Sequence, residues 1–328
     1  MNESMPVPAA AAGHAVAILV GDRPLTEVAR LPGAIRVAVV HPCDEPSLGA
    51  ALDARQAGYI DPVLVAPRAK IEAIALAAGF DLGGIAIEDV PHSHAAAARA
   101  AELAATGYVD ALMKGSLHTD ELMGAVLGRD AGLRTERRVS HCYVMQTPAY
   151  PRPFIISDAA INIAPTLEDK ADIVRNAIDL ARLLGAATPR VAILAAVETV
   201  NPRMPATLDA AALCKMADRG QIDGAGPDRA ILDGPLAFDN AISAEAARIK
   251  GIASDVAGRA DVLVVPDLES GNMLAKQLEY LGGAASAGLV MGLRVPVILT
   301  SRADPRETRI ASCALAVLVA NRRRIAVP

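Results

Sequence analysis

The sequence predicts an α/β protein of two doubly wound α/β/α domains, with mostly parallel sheets and a cleft between the domains. Three observations carry this expectation. Short apolar runs of strand length alternate with longer segments of helical period along nearly the whole chain, the order that covers a parallel sheet with helices on both faces. The length of 328 residues suits two domains, at about 100 to 200 residues each. Several strand-like runs end in polar residues, and ligands of open α/β sheets lie beyond the carboxyl ends of the strands.

The segment ahead of residue 35 reads as loose. A strand follows at Ile35–Val40, then a helix over 46–57 with Pro46 suited to its first turn. A strand at 62–66, a helix over 67–78 closed by Gly79, a strand at 85–87 and an Ala-rich helix over 93–106 extend the alternation. His92 and His94 bracket the start of that helix; with no third ligand at matching spacing they read as solvated or capping groups. A buried strand at 110–113 ends at Lys114-Gly115-Ser116, and His118-Thr119-Asp120 can cap the next helix. A glycine beside a helix N-terminus lets backbone N–H groups approach an anion and Lys114 adds charge, although the Walker spacing is missing.

Arg134, Arg137 and Arg138 precede a strand at 139–145, and such a trio suits either a solvated face or the reading of a phosphate. A strand at 155–158 ends at the Asp158 carboxylate and leads to Asn162. Thr166 with Asp169 resembles a capping box, and Ile173, Val174, Ala177, Ile178, Ala181 and Leu184 recur at helical spacing until Gly185. Beyond lie a strand at 191–197, a helix over 208–219, a strand at 229–232 ending in Asp233-Gly234-Pro235, and one helix over 239–250. A strand at 261–265 opens onto a Gly271-Asn272 corner, and one at 295–300 onto the Ser301-Arg302-Ala303-Asp304 corner. The last helix covers 305–321. Pro151 and Pro153 interrupt the periodicity, so the expected domains are 1–150 completed by 300–328, and 151–299.

Composition excludes several classes. Aromatics are 2% and Trp is absent, so the core must be built mainly from Ala, Val, Leu and Ile, and base stacking on aromatic platforms is not expected. A net charge of -5 opposes a nucleic-acid partner. Apolar runs fall short of the roughly 18 residues that span a bilayer, so no membrane is expected. Glu3 stands where a signal peptide would be basic, and no Lys or Arg precedes Arg23, which predicts a cytoplasmic protein. Cys43, Cys142, Cys214 and Cys313 lack the spacing of zinc sites or redox dithiols and read as reduced, mostly packed thiols; no metal site is expected.

Lys114-Gly115, Ser140-His141, Ser157-Asp-Ala-Ala-Ile-Asn162, Val200-Asn-Pro-Arg-Met204, Asp233-Gly-Pro235, Ala257-Gly258, Gly271-Asn272 and Ser301-Arg-Ala-Asp304 occur in this order. Each is weak alone, but their succession over about residues 35–320 resembles the phosphate acetyl/butyryl transferase family. The wording of Leu112-Met-Lys-Gly115 and of Ser301-Arg-Ala-Asp304 looks closer to the butyryl branch. The resemblance implies an isocitrate/isopropylmalate dehydrogenase-like fold whose C-terminal helix returns to the first domain, and a homodimer. It also implies the exchange of an acyl group, acetyl or butyryl, between CoA and inorganic phosphate, with CoA a substrate and no cofactor. Carried over residue by residue, it gives Ser301, Arg302 and Asp304 catalytic roles. Arg138, Lys114, Ser140, Asp158 and Asn162 are assigned to phosphate or acyl phosphate, and Gly271, Asn272 and Lys276 to CoA. One departure stands out: seven residues after the serine, where the acetyl branch has its proposed base, this chain has Thr308. Asp304 is the nearest carboxylate on that corner and Glu307 the second.

Two other functions compete. A decarboxylating dehydrogenase of the same architecture would need NAD and a divalent metal, to which Asp233, Asp239, Asp261 and Asp267 could offer carboxylates from separate elements. A CoA-binding protein without turnover is the other.

Overall fold

The structure, a computed structural model, describes residues 17–226, 229–301 and 303–326; Arg302 lies outside the described residues. A hairpin of β1 (Leu19–Val20) and β2 (Arg23–Pro24) and a short helix α1 (Leu25–Val28) come first. Residues 17–34 are therefore tied down rather than loose. Leu25 is buried, and the Tyr59 hydroxyl donates to the Thr26 carbonyl at 2.7 Å.

The expected alternation then runs through β3 (Ile35–Val40), α2 (Glu45–Gln56), β4 (Ile60–Ala66), α3 (Arg68–Ala78), β5 (Ala86–Asp89), α4 (Ser93–Ala105), β6 (Ala111–Lys114) and α5 (Thr119–Val126). Next, β7 (Ser140–Gln146) and β8 (Phe154–Ser157) pair antiparallel around the two prolines. The chain continues through α6 (Leu167–Leu183), β9 (Arg190–Leu194), α7 (Pro205–Asp218), β10 (Ile231–Leu236), α8 (Phe238–Ile242) and α9 (Ala244–Ile249). It ends with β11 (Val262–Val264), α10 (Leu268–Tyr280), β12 (Ala285–Met291), β13 (Val297–Ile298) and α11 (Arg306–Ala326). The capping box of α6 forms as the sequence predicts, with Thr166 and Asp169 each satisfying the other's backbone N–H. The single helix expected over 239–250 is two, because Ser243 leaves the helical conformation and caps the second by accepting from Ala246 N.

Eleven strands form one mixed sheet in the order β10-β9-β11-β8-β7-β12-β13-β6-β3-β4-β5. The four strands β10, β9, β11 and β8 are mutually parallel, as are β13, β6, β3, β4 and β5. The two sets run in opposite directions, because antiparallel β7 and β12 stand between them. One lateral row, Ser157–Cys142–Leu289–Ile298–Met113, crosses the junction. At this row β8 and β13 end, and β6 ends one residue beyond it. The loops leaving both sets therefore start at the middle of the sheet.

The core explains what lies above that row. On one face a single apolar cluster runs from Val37 and Val39 through Cys142, Val144 and Leu289 to Val262 and Val191, covered by α2, α6 and α11. On the other face the core is split. One cluster holds Val40, Leu112, Val297 and Leu299, and another holds Tyr143, Ile156, Ala192 and Leu263. A cleft opens between them.

Candidate active site

The cleft has a volume of about 450 Å³. Lys114 enters it from the end of β6, His118 and Thr119 from the start of α5, and Leu299, Thr300 and Ser301 from the segment after β13. The second half of the chain contributes Ala160 from the turn after β8, and Asn272 and Lys276 from α10. The floor is β7. Side chains of a strand alternate between faces, so His141 and Tyr143 line the cleft while Ser140 and Cys142 point the other way.

A buried polar chain fixes the Ser301 corner. The Ser301 N–H donates to Asp304 Oδ2 at 2.7 Å, and Lys276 Nζ donates to Asp304 Oδ1 at 3.1 Å. Both carboxylate oxygens are thus engaged, in a side chain only 1% exposed. Lys276 also reaches Glu279 Oε2 at 2.8 Å; Glu279 Oε1 accepts from Ser286, and Ser286 meets Thr308 Oγ1 at 3.1 Å. Burial works against the Lys276 charge, but the hydrogen bond to Glu279 and the fields of Tyr143 and Asp304 outweigh it and hold the ammonium above its ordinary pKa. Lys276 stands 5.9 Å from the Tyr143 ring centroid and 5.7 Å from that of Tyr280.

Beside the cleft, and sharing Thr119 and Ala160 with it, lies a second cavity of about 450 Å³ lined by Arg134, Arg137, Arg138 and Asn162. Arg138 Nε donates to Asn162 Oδ1 at 2.7 Å and stands 3.5 Å from Asp169. Asn162 in turn donates to the Val139 carbonyl and to Asp158. Asp158 is buried; it accepts from the backbone of Ala160, Ile161 and Asn162, and burial pushes its pKa up against those hydrogen bonds.

Lys114, Asn272, Lys276 and Ser301 therefore meet in the cleft, and Arg138 and Asn162 in the adjoining cavity. Others do not face either space. Ser140 is fully buried on the opposite face, where its hydroxyl accepts from Asn176 at 2.9 Å. Asp158 holds the 159–162 turn. The Gly271-Asn272 corner is the first turn of α10, whose N-cap is Asp267. Gly271 is buried there because the helix passes close to the end of β8: a Cβ would stand 2.5 Å from the Asp158 carbonyl. Sequence reasoning missed His118, His141, Tyr143 and the Glu279–Ser286–Thr308 chain. The period of two along residues 139–145 was the signal that separates His141 from Ser140. His118 precedes α5 without a side-chain capping bond and lines the cleft instead, whereas His92 does cap α4, accepting from Ala95 N at 3.1 Å. His94 meets Glu121 at 2.9 Å.

The family described as phosphate acetyl/butaryl transferase matches residues 93–317. The chain belongs to the phosphate acetyl/butyryl transferase family. It is 59% identical over 302 residues to a phosphate acetyltransferase of Rhizobium meliloti, covering 92% of this chain and 94% of that one. With a phosphate butyryltransferase of Clostridium acetobutylicum it shares 43% over 288 residues, 88% of this chain and 94% of the other. Motif wording looked closer to the butyryl branch, yet the higher of these two identities belongs to an acetyltransferase. Among solved structures, a branched-chain phosphotransacylase from Enterococcus faecalis V583 superposes with a TM-score of 0.74 at 29% identity, covering 87% of this chain and 99% of that one. The transferase is thus an acyltransferase of α/β fold. The four carboxylates that a metal-dependent dehydrogenase would need are each engaged elsewhere: Asp233 with Gly234 N, Asp239 with Lys250, Asp261 with Arg190 N and Arg152, and Asp267 in capping α10. Among the described residues no group of three or more His, Cys, Asp and Glu is arranged to hold a metal ion.

Proposed function

We propose that this cleft carries the exchange acyl-CoA + phosphate = acyl phosphate + CoA, with no cofactor. The observation that supports it most is the pairing of two adjoining spaces: one lined by Arg134, Arg137 and Arg138, suited to phosphate, the other by Ser301, Lys114 and a partly apolar wall, suited to a thioester. Phosphate attacks the carbonyl carbon, the carbonyl pair moves onto oxygen, and collapse expels the CoA thiolate, which takes up the proton of the hydrogen phosphate. Ser301 donates to the departing sulfur, Lys114 supplies positive charge from the end of β6, and Arg138, oriented by Asn162, holds the phosphoryl oxygens, a task to which the family resemblance also assigns Arg302. Asn272 and Lys276 border the CoA arm. Asp304, with both oxygens engaged, is the positioning group for Ser301 rather than the proton acceptor.

The division into two domains is part of this reading. Strands β12 and β13 lie beside β7 and β6, so the chain's return to the first half is drawn at about residue 285, ahead of α11, which packs on β12 and α2. Exposed Met273 and Tyr280 on α10, with exposed Leu281 directly after it, favour the homodimer, which sedimentation over a range of concentrations would reveal. A cytoplasmic setting suits four unpaired cysteines. The deciding experiment supplies purified protein with phosphate and a series of acyl-CoAs and follows free thiol. Thiol release with one or more of them, matched by acyl phosphate, is expected; CoA binding without any release would leave only the binding protein.

A further inference from the structure

His141, on the cleft floor, is left unused by the reading above. Its side chain is completely buried, yet it lines the cleft, and neither ring nitrogen makes a hydrogen bond to the protein. A buried polar group left without a partner is costly, which marks it as one with a task. The surroundings hold the ring in place without satisfying it. Tyr143 meets it edge to face, with centroids 4.6 Å apart and planes at 71°. Gly288 on β12, paired with Tyr143 and diagonal to the ring, leaves room for it: a Cβ there would stand 3.0 Å from Nε2. The Leu299 carbonyl lies on the same side, near enough to favour a protonated ring but not bonded to it.

From this geometry we infer that His141 is a further catalytic residue of the acyl exchange: its neutral imidazole donates an N–H to the thioester carbonyl oxygen as negative charge develops there. The inference rests on the acyltransfer reading and deepens it. His141 keeps its proton throughout. The C–O bond to phosphate forms, the carbonyl pair passes to the oxygen and is held by the imidazole N–H, and the returning pair breaks the C–S bond; the proton gained by sulfur comes from the phosphate. A donor aimed where charge develops, in a site closed to water, does most when it needs no reorganisation, and an unpartnered buried ring has no bond to break first. The chemistry also suits a neutral donor. Burial, with Leu299 opposing and the Lys276 charge adding to it, brings the imidazole pKa down to about 4, so the ring stays uncharged at neutral pH. An imidazolium would bind phosphate or acyl phosphate in the ground state as readily as the transition state, and so would lower KM without raising kcat.

The test compares His141→Phe and His141→Gln with the wild type in the acyl-CoA and phosphate assay, with kcat and KM determined separately. Removing one such donor costs about 10² to 10³ in kcat. The Phe variant should show that loss with the acyl-CoA KM changed less than about three-fold, and Gln, which keeps an N–H donor, should recover at least about ten-fold of it. A Phe variant within three-fold of wild-type kcat, a loss confined to KM, or a Gln variant no better than Phe would overturn the inference. Should the variants fail to fold, the wild type gives the same answer. With ¹⁵N-histidine labelling, a dethia acyl-CoA, which presents the carbonyl but cannot be cleaved, should move the His141 ring resonances; unmoved resonances with the analogue bound would equally reject it. A wild type that forms no acyl phosphate would remove the acyltransferase reading itself, an outcome distinct from either.

Discussion

Asp304 and Lys276 show how a single pair can be read two ways and then separated. If Asp304 only positions Ser301, Asp304→Asn keeps one oxygen for the Ser301 N–H but weakens the Lys276 contact, so both melting temperature and kcat should fall modestly, kcat by about ten-fold. A proton acceptor would instead lose about 10² to 10⁴ in kcat with the melting temperature held. Lys276→Met leaves the buried carboxylate without its cation. Removing one partner of a buried pair costs about 3 to 5 kcal/mol, and with Lys276 30% exposed we expect about 2 kcal/mol in urea unfolding. His141 gives a second measurement. Its pKa lies near 4 in the folded protein against 6.5 for an ordinary histidine, so between those values the unfolded chain binds a proton that the folded one refuses. Stability should therefore fall as the pH drops from about 6.5 to about 4, by up to roughly 3 kcal/mol from this residue, and the difference between wild type and His141→Phe should show that slope. At this scale the sequence was only partly legible. Ser301 and Lys114 line the cleft and Arg138 the adjoining cavity. Ser140 was carried over from the family resemblance, and only the face of β7 shows that its neighbour His141 looks into the cleft.

Helix α10 is the element on which the site depends most, since it brings Asn272 and Lys276 into the cleft and passes against the end of β8 at Gly271. A Gly271→Ala methyl would stand 2.5 Å from the Asp158 carbonyl and 2.8 Å from Val265, so the helix must move. Overpacking of this kind costs about 1 to 3 kcal/mol. Activity should drop together with melting temperature in this variant. Ser243→Ala, which removes the side-chain cap of α9, a helix that lines neither the cleft nor the adjoining cavity, should lower stability by about 1 kcal/mol and leave kcat unchanged; an equal activity loss in both would mean that α10 has no special part. The long amphipathic α6 and the apolar strands β3 and β4 were plain in the sequence because burial of one face or both imprints a period. Strand β12 was not. Ala285-Ser-Ala-Gly-Leu-Val-Met291 is made largely of small residues, and its packing between β7 and β13 with Gly288 beside His141 leaves little alternation to read. For the same reason Gly271 and Asn272 passed for a corner, although Asp267 with Ser270 is the start of a helix.

For the whole molecule, the alternating order predicted α/β layers and a cleft, but not that both halves share one sheet. Strand direction leaves no mark on composition, so the reversal at β7 and β12 could be learned only from the pairing. It changes what unfolding should look like. The ladder of β7 with β12 spans seven residue pairs and a continuous core covers one face of both halves, so neither half can open without exposing the other. Urea unfolding followed by far-ultraviolet circular dichroism and by elution volume should give one coincident transition. Two separated transitions would show that the halves hold their structure independently.

The scarcity of rings has an optical consequence. With no Trp and five Tyr in the chain, excitation has no indole to migrate to, and the intrinsic ultraviolet emission of the protein is that of its tyrosines. Two of the five, Tyr143 in the cleft floor and Tyr280 on α10, flank the Lys276 ammonium. An acyl-CoA settling against Lys276 would alter the surroundings of both at once, so the unlabelled protein should report occupation of its own cleft as a change in tyrosine emission.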